Sequence, residues 1–397
     1  MSETVSSTVI RAPRVVGLPD DGTGPGWVQI RDGRIAGAGR GAPPRPADVA
    51  LDGLLAPGLV DAQINGAFAV DFAEAGTAEV RRTAELMLST GVTTMVPTFI
   101  TSPVEELVAQ VWRYDQARVA SNATGHATRL LHAHVEGPFL SPRRRGAHRE
   151  EYLIDPTPEA LAPLLAMADK ISYVTLAPER DGAVQAIVDL IASGIRVSIG
   201  HSDADDTAVR AAADAGASMV THLYNAQRPL HHRDPGVVGA ALTDPRLTLG
   251  LISDGYHVEP TAIRLAFSAA PKRVMLVTDA VAALGMPPGI SVLGGQEIVV
   301  APGRPPLRSD GTIAGADVPL DACLGHALAA GVDLVDVVRA ATRTPADALG
   351  CSDRGRLEPG TLADLVLLGE DDLRAKATWL GGELVWTADD AREEMAL

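Results

Sequence analysis

Residues 129–138, RLLHAHVEGP, run aliphatic and β-branched until Glu136 stands before a Gly-Pro turn. Three later stretches repeat the design: RVSIGHS (196–202) reaches His201, SMVTHLYNA (218–226) carries His222, and RVMLVTDA (273–280) reaches Asp279. A short continuous apolar run is the pattern of a strand buried on both faces. A ligand-type residue beside Gly, Ser, Asn or Ala at its end reads as a chemical group set at the mouth of a barrel. Working outward, similar runs occur at 59–65, 93–100, 130–138, 173–179, 196–202, 219–225, 248–255 and 274–280. Segments rich in Ala, Leu and Glu, such as TAEVRRTAELMLST (77–90) and TPEALAPLLAMADK (157–170), alternate with most of them. Parallel pairing through crossover helices follows, and eight such units predict an α/β chain folded as a (β/α)₈ TIM barrel.

The two chain ends carry a different pattern. In WVQIRDGRIAGAG (27–39) Asp32-Gly33 separates two alternating runs as a hairpin turn would, and ADLVLLG (363–369) and GGELVWTA (381–388) also read as strands. The expected division is residues 1–56 and 351–397 forming one small β-sandwich domain around a barrel of residues 57–350, with a Gly- and Pro-rich β-hairpin excursion near 286–316. The clusters GTGPG and GAGRG lack the strand-to-helix setting that a dinucleotide-binding loop needs.

Composition excludes several classes. A net charge of -16 opposes a nucleic-acid or anionic-membrane partner, because an acidic surface repels phosphate polymers. No apolar stretch reaches the ~18 residues of a spanning helix, and the opening MSETVSSTVIRAP lacks a signal core, so a cytoplasmic location is expected. Cys323 and Cys351 are too few for a disulfide framework and lack metal-clip spacing. Asn122-Ala-Thr124 matches a glycosylation sequon without any routing signal to give it meaning.

Taken singly, Glu136 reads equally well as a surface glutamate, and a lone strand-end histidine is more often structural than a ligand. Together, Glu136, His201 and His222 make a carboxylate and two imidazoles with room for a fourth ligand, a set suited to catalytic zinc or a related divalent ion. Asp279 at the last strand could take a proton from an attacking water and return it to a leaving nitrogen; its plainer reading is a cap on the next segment.

The motifs PGLVDAQING, HVEGPFLSPRRRGAH, VTLAPE, GHSDA, THLYNA, HRDPG, DGYHV, VTDA, DGTIAGA and RGRLEPGTLADLVL occur in this order along nearly the whole chain. The assembly resembles the amidohydrolase superfamily and, within it, the N-acetylglucosamine-6-phosphate deacetylase family. The resemblance implies that Glu136, His201 and His222 bind the metal, that Asp279 is the catalytic acid/base and that His148 polarises the acetyl carbonyl. It implies substrate contacts from Ala147, Asn225, Ala226, His257, Ile313, Ala314 and Gly315, and a homodimer in which Arg233 reaches the phosphate of the neighbouring subunit's site. The implied partner is a phosphorylated amino sugar. The implied reaction turns N-acetylglucosamine 6-phosphate into glucosamine 6-phosphate and acetate, in amino-sugar catabolism or cell-wall recycling. A galactosamine-type epimer, a cyclic amide or a non-catalytic sugar-phosphate binder stay open as alternatives.

One departure bears on the metal count. Superfamily members commonly place His-x-His on the first strand, whereas this chain has Gln63-Ile-Asn65. Neutral amides are poor ligands for such ions, so one divalent ion per subunit is expected, Zn²⁺ first and Fe²⁺, Mn²⁺ or Co²⁺ as alternatives. Basic residues also gather near the ligand-bearing runs: Arg143, Arg144 and Arg145 on one loop, Arg228, His231, His232 and Arg233 on another. Guanidinium forks suit a phosphate, although the first of these loops reads as readily as a solvated one.

Overall fold

The computed structural model describes residues 7–389 and 391; residues 1–6, 390 and 392–397 of the expected terminal segments lie outside the described residues. Eight parallel strands form the barrel: Leu59–Ile64, Val92–Ile100, Ala133–Glu136, Ile171–Leu176, Arg196–Ile199, Met219–Val220, Thr248–Ile252 and Val274–Val277, numbered first to eighth below. Each pairs with the next from first to eighth. A helix follows each of them, from Thr77–Met87 after the first to Leu320–Ala329 after the eighth. Inside, Val60, Ala62, Val96, Tyr173, Met219, Ile252, Met275 and Val277 fill the lumen, so the barrel is a packed core with its chemistry confined to one end.

Between the first and eighth strands the ladder is only an isolated parallel bridge, Ile64 to Ala280. Backbone bonds at the mouth supplement it, Asp279 N–H to Gln63 O at 2.9 Å and Asn65 N–H to Ala280 O at 2.7 Å. Below them a side chain does the joining. Asp61, fully buried, accepts from Thr278 Oγ1 at 2.6 Å, Thr278 N at 3.2 Å and Gln63 N at 3.3 Å. That clamp fixes the segment on which Asp279 stands.

The ends of the chain form two sheets, one of four strands from residues 8–50 and one of five that interleaves Arg14–Val15 and Leu54–Pro57 with Leu365–Leu368, Ala375–Leu380 and Glu383–Thr387. Ile10, Val28, Ile35, Leu55, Leu365 and Trp379 share one hydrophobic cluster, so both termini are needed to close it. Asp32-Gly33 makes the expected two-residue turn, with positive φ at both positions and Arg31 opposite Arg34. After the eighth strand Gly289–Leu293 and Gln296–Val300 pair as a hairpin that leans over the barrel mouth through Leu293, Ile298 and Val300, packed with Val281 and Ala314.

Burial pushes the Asp61 carboxyl up to about 7, with its Thr278 and Gln63 hydrogen bonds opposing. Folded Asp61 therefore keeps its proton to about pH 7, while an unfolded aspartate releases it near ~4. Between those values the folded state binds more protons, and the stability this group contributes falls as pH rises. Denaturant unfolding of wild type and Asp61→Asn at pH 5 and 7.5 is expected to show wild type losing ground to the variant at the higher pH, by about 2–3 kcal/mol. A difference that does not change with pH would mean that Asp61 is already ionised.

Candidate active site

The strands stop short of the chemistry. Glu136 is the last residue of the third strand, but His201, His222 and Asp279 each stand two residues beyond the fifth, sixth and eighth strands. All three adopt left-handed backbone conformations, φ 47°, 28° and 50°. Such angles are costly for residues with a Cβ and cluster where function holds them. The runs read from sequence are thus correct as strands and too long at their C-terminal ends. Leaving the strand conformation lets the side chains converge over the lumen.

Glu136 Oε1 lies 3.2 Å from His201 Nε2 and 3.1 Å from His222 Nε2, and the two nitrogens are 3.1 Å apart. Donors bound at ~2.0–2.1 Å in a tetrahedron are separated by roughly 3.3 Å, so this triangle fits a divalent ion such as zinc. Glu136, His148 and His201 also bring ligand-type atoms within 4.8 Å of one another. His222 completes the tighter triangle, and His148 Nδ1 is already engaged by Thr101, with Oγ1 at 2.8 Å and the backbone N–H at 3.3 Å. His201 Nδ1 is held by the Arg144 carbonyl at 2.8 Å, the kind of outer contact that orients a ligating imidazole. His222 Nδ1 has no partner among the described residues.

Electrostatics separate these groups. Burial opposes the charge on Glu136, yet the two imidazoles hold its carboxyl well below the usual range. His222 is raised, its carboxylate contact outweighing burial. Burial, then the charge of His201, drives His148 well below an ordinary histidine and keeps it neutral. Asp279 is raised by burial and by Glu136. The first-strand amides face this pair of carboxylates: Asn65 Nδ2 donates to Asp279 Oδ1 at 2.9 Å, and Gln63 Nε2 to the same oxygen at 3.1 Å and to both Glu136 oxygens at 3.4 Å.

A cavity of about 380 Å³ opens over the triangle, lined among others by Asn65, Glu136, Ala147, His148, Asn225, Ala226, His257, Asp279, Ile313 and Gly315. Two expected contacts are not among its lining residues. Ala314 is fully buried in the hairpin cluster, while Ile313 and Gly315 take the cavity side. Arg233 is exposed, 2.7 Å from His232 Nε2 and outside its own chain's cavity. The other basic loop is tied down locally: Arg143 and Arg144 both pair with Asp203, at 3.3 and 2.8 Å, and Arg145 with Glu150.

Sequence reasoning overlooked three supporting residues. Thr101 grips His148, Asp61 anchors Thr278, and buried Asp254 accepts from His257 Nδ1 at 2.6 Å and from the Tyr256 and His257 backbone. The DGYH stretch held a signal for the last, since Asp at i and His at i+3 across a glycine turn can pair; nothing local marks the other two.

Residues 54–385 match the amidohydrolase family. The N-acetylglucosamine-6-phosphate deacetylase of Rattus norvegicus is 42% identical over 352 residues, 85% of each chain. The N-acetylgalactosamine-6-phosphate deacetylase of Escherichia coli O157:H7 is 35% identical over 95% of this chain and 98% of its own. A mutant N-acetyl-D-glucosamine-6-phosphate deacetylase from Mycobacterium smegmatis, solved with N-acetyl-D-glucosamine-6-phosphate, is similar with a TM-score of 0.89 and 36% identity, covering 96% of this chain and 100% of that one. Fold and donor set define the class, a (β/α)₈ hydrolase with a site suited to a metal ion. The chain belongs to the amidohydrolase family, in the branch of the N-acetylhexosamine-6-phosphate deacetylases.

The amide of Asn65, with the charge of His222, opposes the upward shift of Asp279. Asn65→Ala is expected to raise the Asp279 carboxyl further in metal-free protein, read from its side-chain ¹³C resonance across pH. An unchanged or lower midpoint would show that the 2.9 Å contact does not govern Asp279.

Proposed function

We propose that this protein removes the acetyl group of N-acetylglucosamine 6-phosphate, releasing glucosamine 6-phosphate and acetate. The observation that carries the reading is the juxtaposition, in one cavity, of the Glu136/His201/His222 triangle, a raised Asp279 and a neutral His148. One divalent ion held by Glu136, His201 and His222 would polarise the acyl carbonyl and acidify water; zinc suits the donor set best, and Fe²⁺, Mn²⁺ or Co²⁺ can replace it. Gln63 and Asn65 present N–H groups where further ligands would be needed, which supports a single ion.

Asp279 takes the proton of the attacking water and passes it to the leaving nitrogen, a role helped by a carboxyl that burial and Glu136 raise above the usual range. His148, neutral and fixed by Thr101, donates from Nε2 to the oxygen that gains charge as the carbonyl becomes tetrahedral. Asn225, Ala226, His257, Ile313 and Gly315 surround the sugar. The Asn225 amide nitrogen, buried without a partner among the described residues, supports its use on substrate. Free Cys323 and Cys351 accord with a cytoplasmic setting. The galactosamine epimer is the second reading, because a relative with that name covers 95% of this chain.

An acetate-release assay across N-acetylated hexosamines, with and without the 6-phosphate, tests the assignment on metal-analysed protein. The expected result is highest kcat/KM for N-acetylglucosamine 6-phosphate with about one tightly held ion per chain. Asp279→Asn should lower turnover by roughly 10²–10⁴-fold with binding retained. Near-normal turnover in that variant, or no acetate from any of these sugars in the wild type, would overturn the proposal.

For the phosphate we place Arg233 in a partner's site, as a homodimer would allow. Its exposure and its absence from the lining of its own cavity support this; Arg143 and Arg144, which do line that cavity, are engaged with Asp203. Arg233→Ala is expected to raise KM for the phosphorylated sugar by roughly 30-fold or more, with a smaller effect on the unphosphorylated one. Mixing Arg233→Ala with Asp279→Asn subunits should restore part of the activity, since some dimers then hold one complete site. Mixed dimers without recovered activity would confine Arg233 to its own chain.

A further inference from the structure

A second cavity, of about 140 Å³, lies behind the wall of the active site. Thr101, Ser102, Gln110 and Gly294 line it together with Ile100, and among the described residues Ile100 is the one it shares with the active-site cavity. Its walls are polar, and Ser102 Oγ and Gln110 Oε1 are buried there without partners among the described residues. Ile100 ends the second strand, directly opposite Glu136 in the ladder. Its neighbour Thr101 grips His148. On the far side the hairpin tip closes on it: a Cβ at Gly294 would stand 2.6 Å from Ile100 Cδ1, so the glycine is what lets the hairpin seat against this side chain. Gly294 is held in turn by Asp71, whose Oδ2 accepts from its N–H at 2.8 Å.

The orientation of the acyl group rests on the deacylation reading above. With the carbonyl oxygen turned to His148 and the carbonyl carbon over the Glu136 triangle, the wall nearest both is Ile100, which stands opposite Glu136 in the ladder and next to the Thr101 that grips His148, with Leu293 in the same cluster. We propose that Ile100 is the residue that sets acyl-chain length: it fits against the methyl of an acetyl group and shuts off a chamber large enough to take a longer chain. The chamber offers hydrocarbon little attraction, so removing the wall acts by relieving a clash. A pocket that differs by one methylene discriminates by ~10–200-fold, which sets the size of effect a partition of this kind can produce.

The experiment measures kcat/KM of wild type, Ile100→Val and Ile100→Ala on N-acetyl-, N-propionyl- and N-butyrylglucosamine 6-phosphate. Wild type should fall steeply with each added carbon. Ile100→Ala should raise the butyryl-to-acetyl ratio at least ~10-fold, and Ile100→Val should raise the propionyl-to-acetyl ratio by less. Ile100→Val removes only one methyl and keeps the test open if Ile100→Ala fails to fold. Ratios unchanged in a folded variant would overturn the assignment of Ile100, as would a wild type that already accepts butyryl as readily as acetyl. Wild type inert on all three sugars would instead sink the deacylase reading itself, a result distinct from failure of the partition.

Discussion

Glu136 carries a carboxylate to a place where only 2% of the residue is exposed. Burying an isolated charge is prohibitive, and the surroundings are arranged around that demand. His201 and His222 supply positive or ligating nitrogen on one side, Gln63 supplies amide hydrogens on another, and the Glu136 backbone carbonyl is bonded by Thr101 Oγ1 at 3.2 Å. The same contacts that compensate Glu136 fix the angle of each imidazole. Compensation and site geometry are one arrangement.

A second constraint follows from how the donors reach that point. The imidazoles and Asp279 leave the strands through left-handed residues, which lie outside the regions comfortable for side chains with a Cβ. The barrel tolerates this because the segments are pinned from outside. Asp61 grips Thr278 next to Asp279, and Leu223 N–H bonds to Gly250 O at 2.6 Å just past His222. Ser141 N–H bonds to His201 O at 2.9 Å, which ties the loop bearing His148 to the fifth strand's extension. Strain of order ~1–3 kcal/mol per residue is affordable where neighbouring contacts over-determine the conformation.

The excursion near the mouth joins this network. Gln296 Nε2 and Arg308 Nη1 both donate to the carbonyl of Ala147, at 3.3 and 3.1 Å, on the residue before His148. The hairpin therefore supports the loop that carries His148 from above while its tip seats against Ile100 from the side. Most arginines near the site answer a nearby carboxylate, and exposed Arg233 stands apart from them.

Hydrophobic patterning by itself determined the strand and helix alternation, and with it the barrel, because buried parallel strands must be apolar on both faces and announce themselves as short runs. Glu136, His201, His222 and Asp279 were legible for a related reason: a polar group at the end of such a run contrasts sharply with everything before it. Other features were decided only by tertiary structure. Asp61 meets its partner only when the eighth strand comes round to it, and Thr101 acquires a role only when the His148 loop folds back. The point where each strand ends, the facing of Ala314 away from the cavity and the partition at Ile100 depend on backbone angles and on contacts between segments nearly two hundred residues apart. A one-dimensional pattern records which residues are apolar, but the neighbour that gives a side chain its function comes from chain closure in three dimensions.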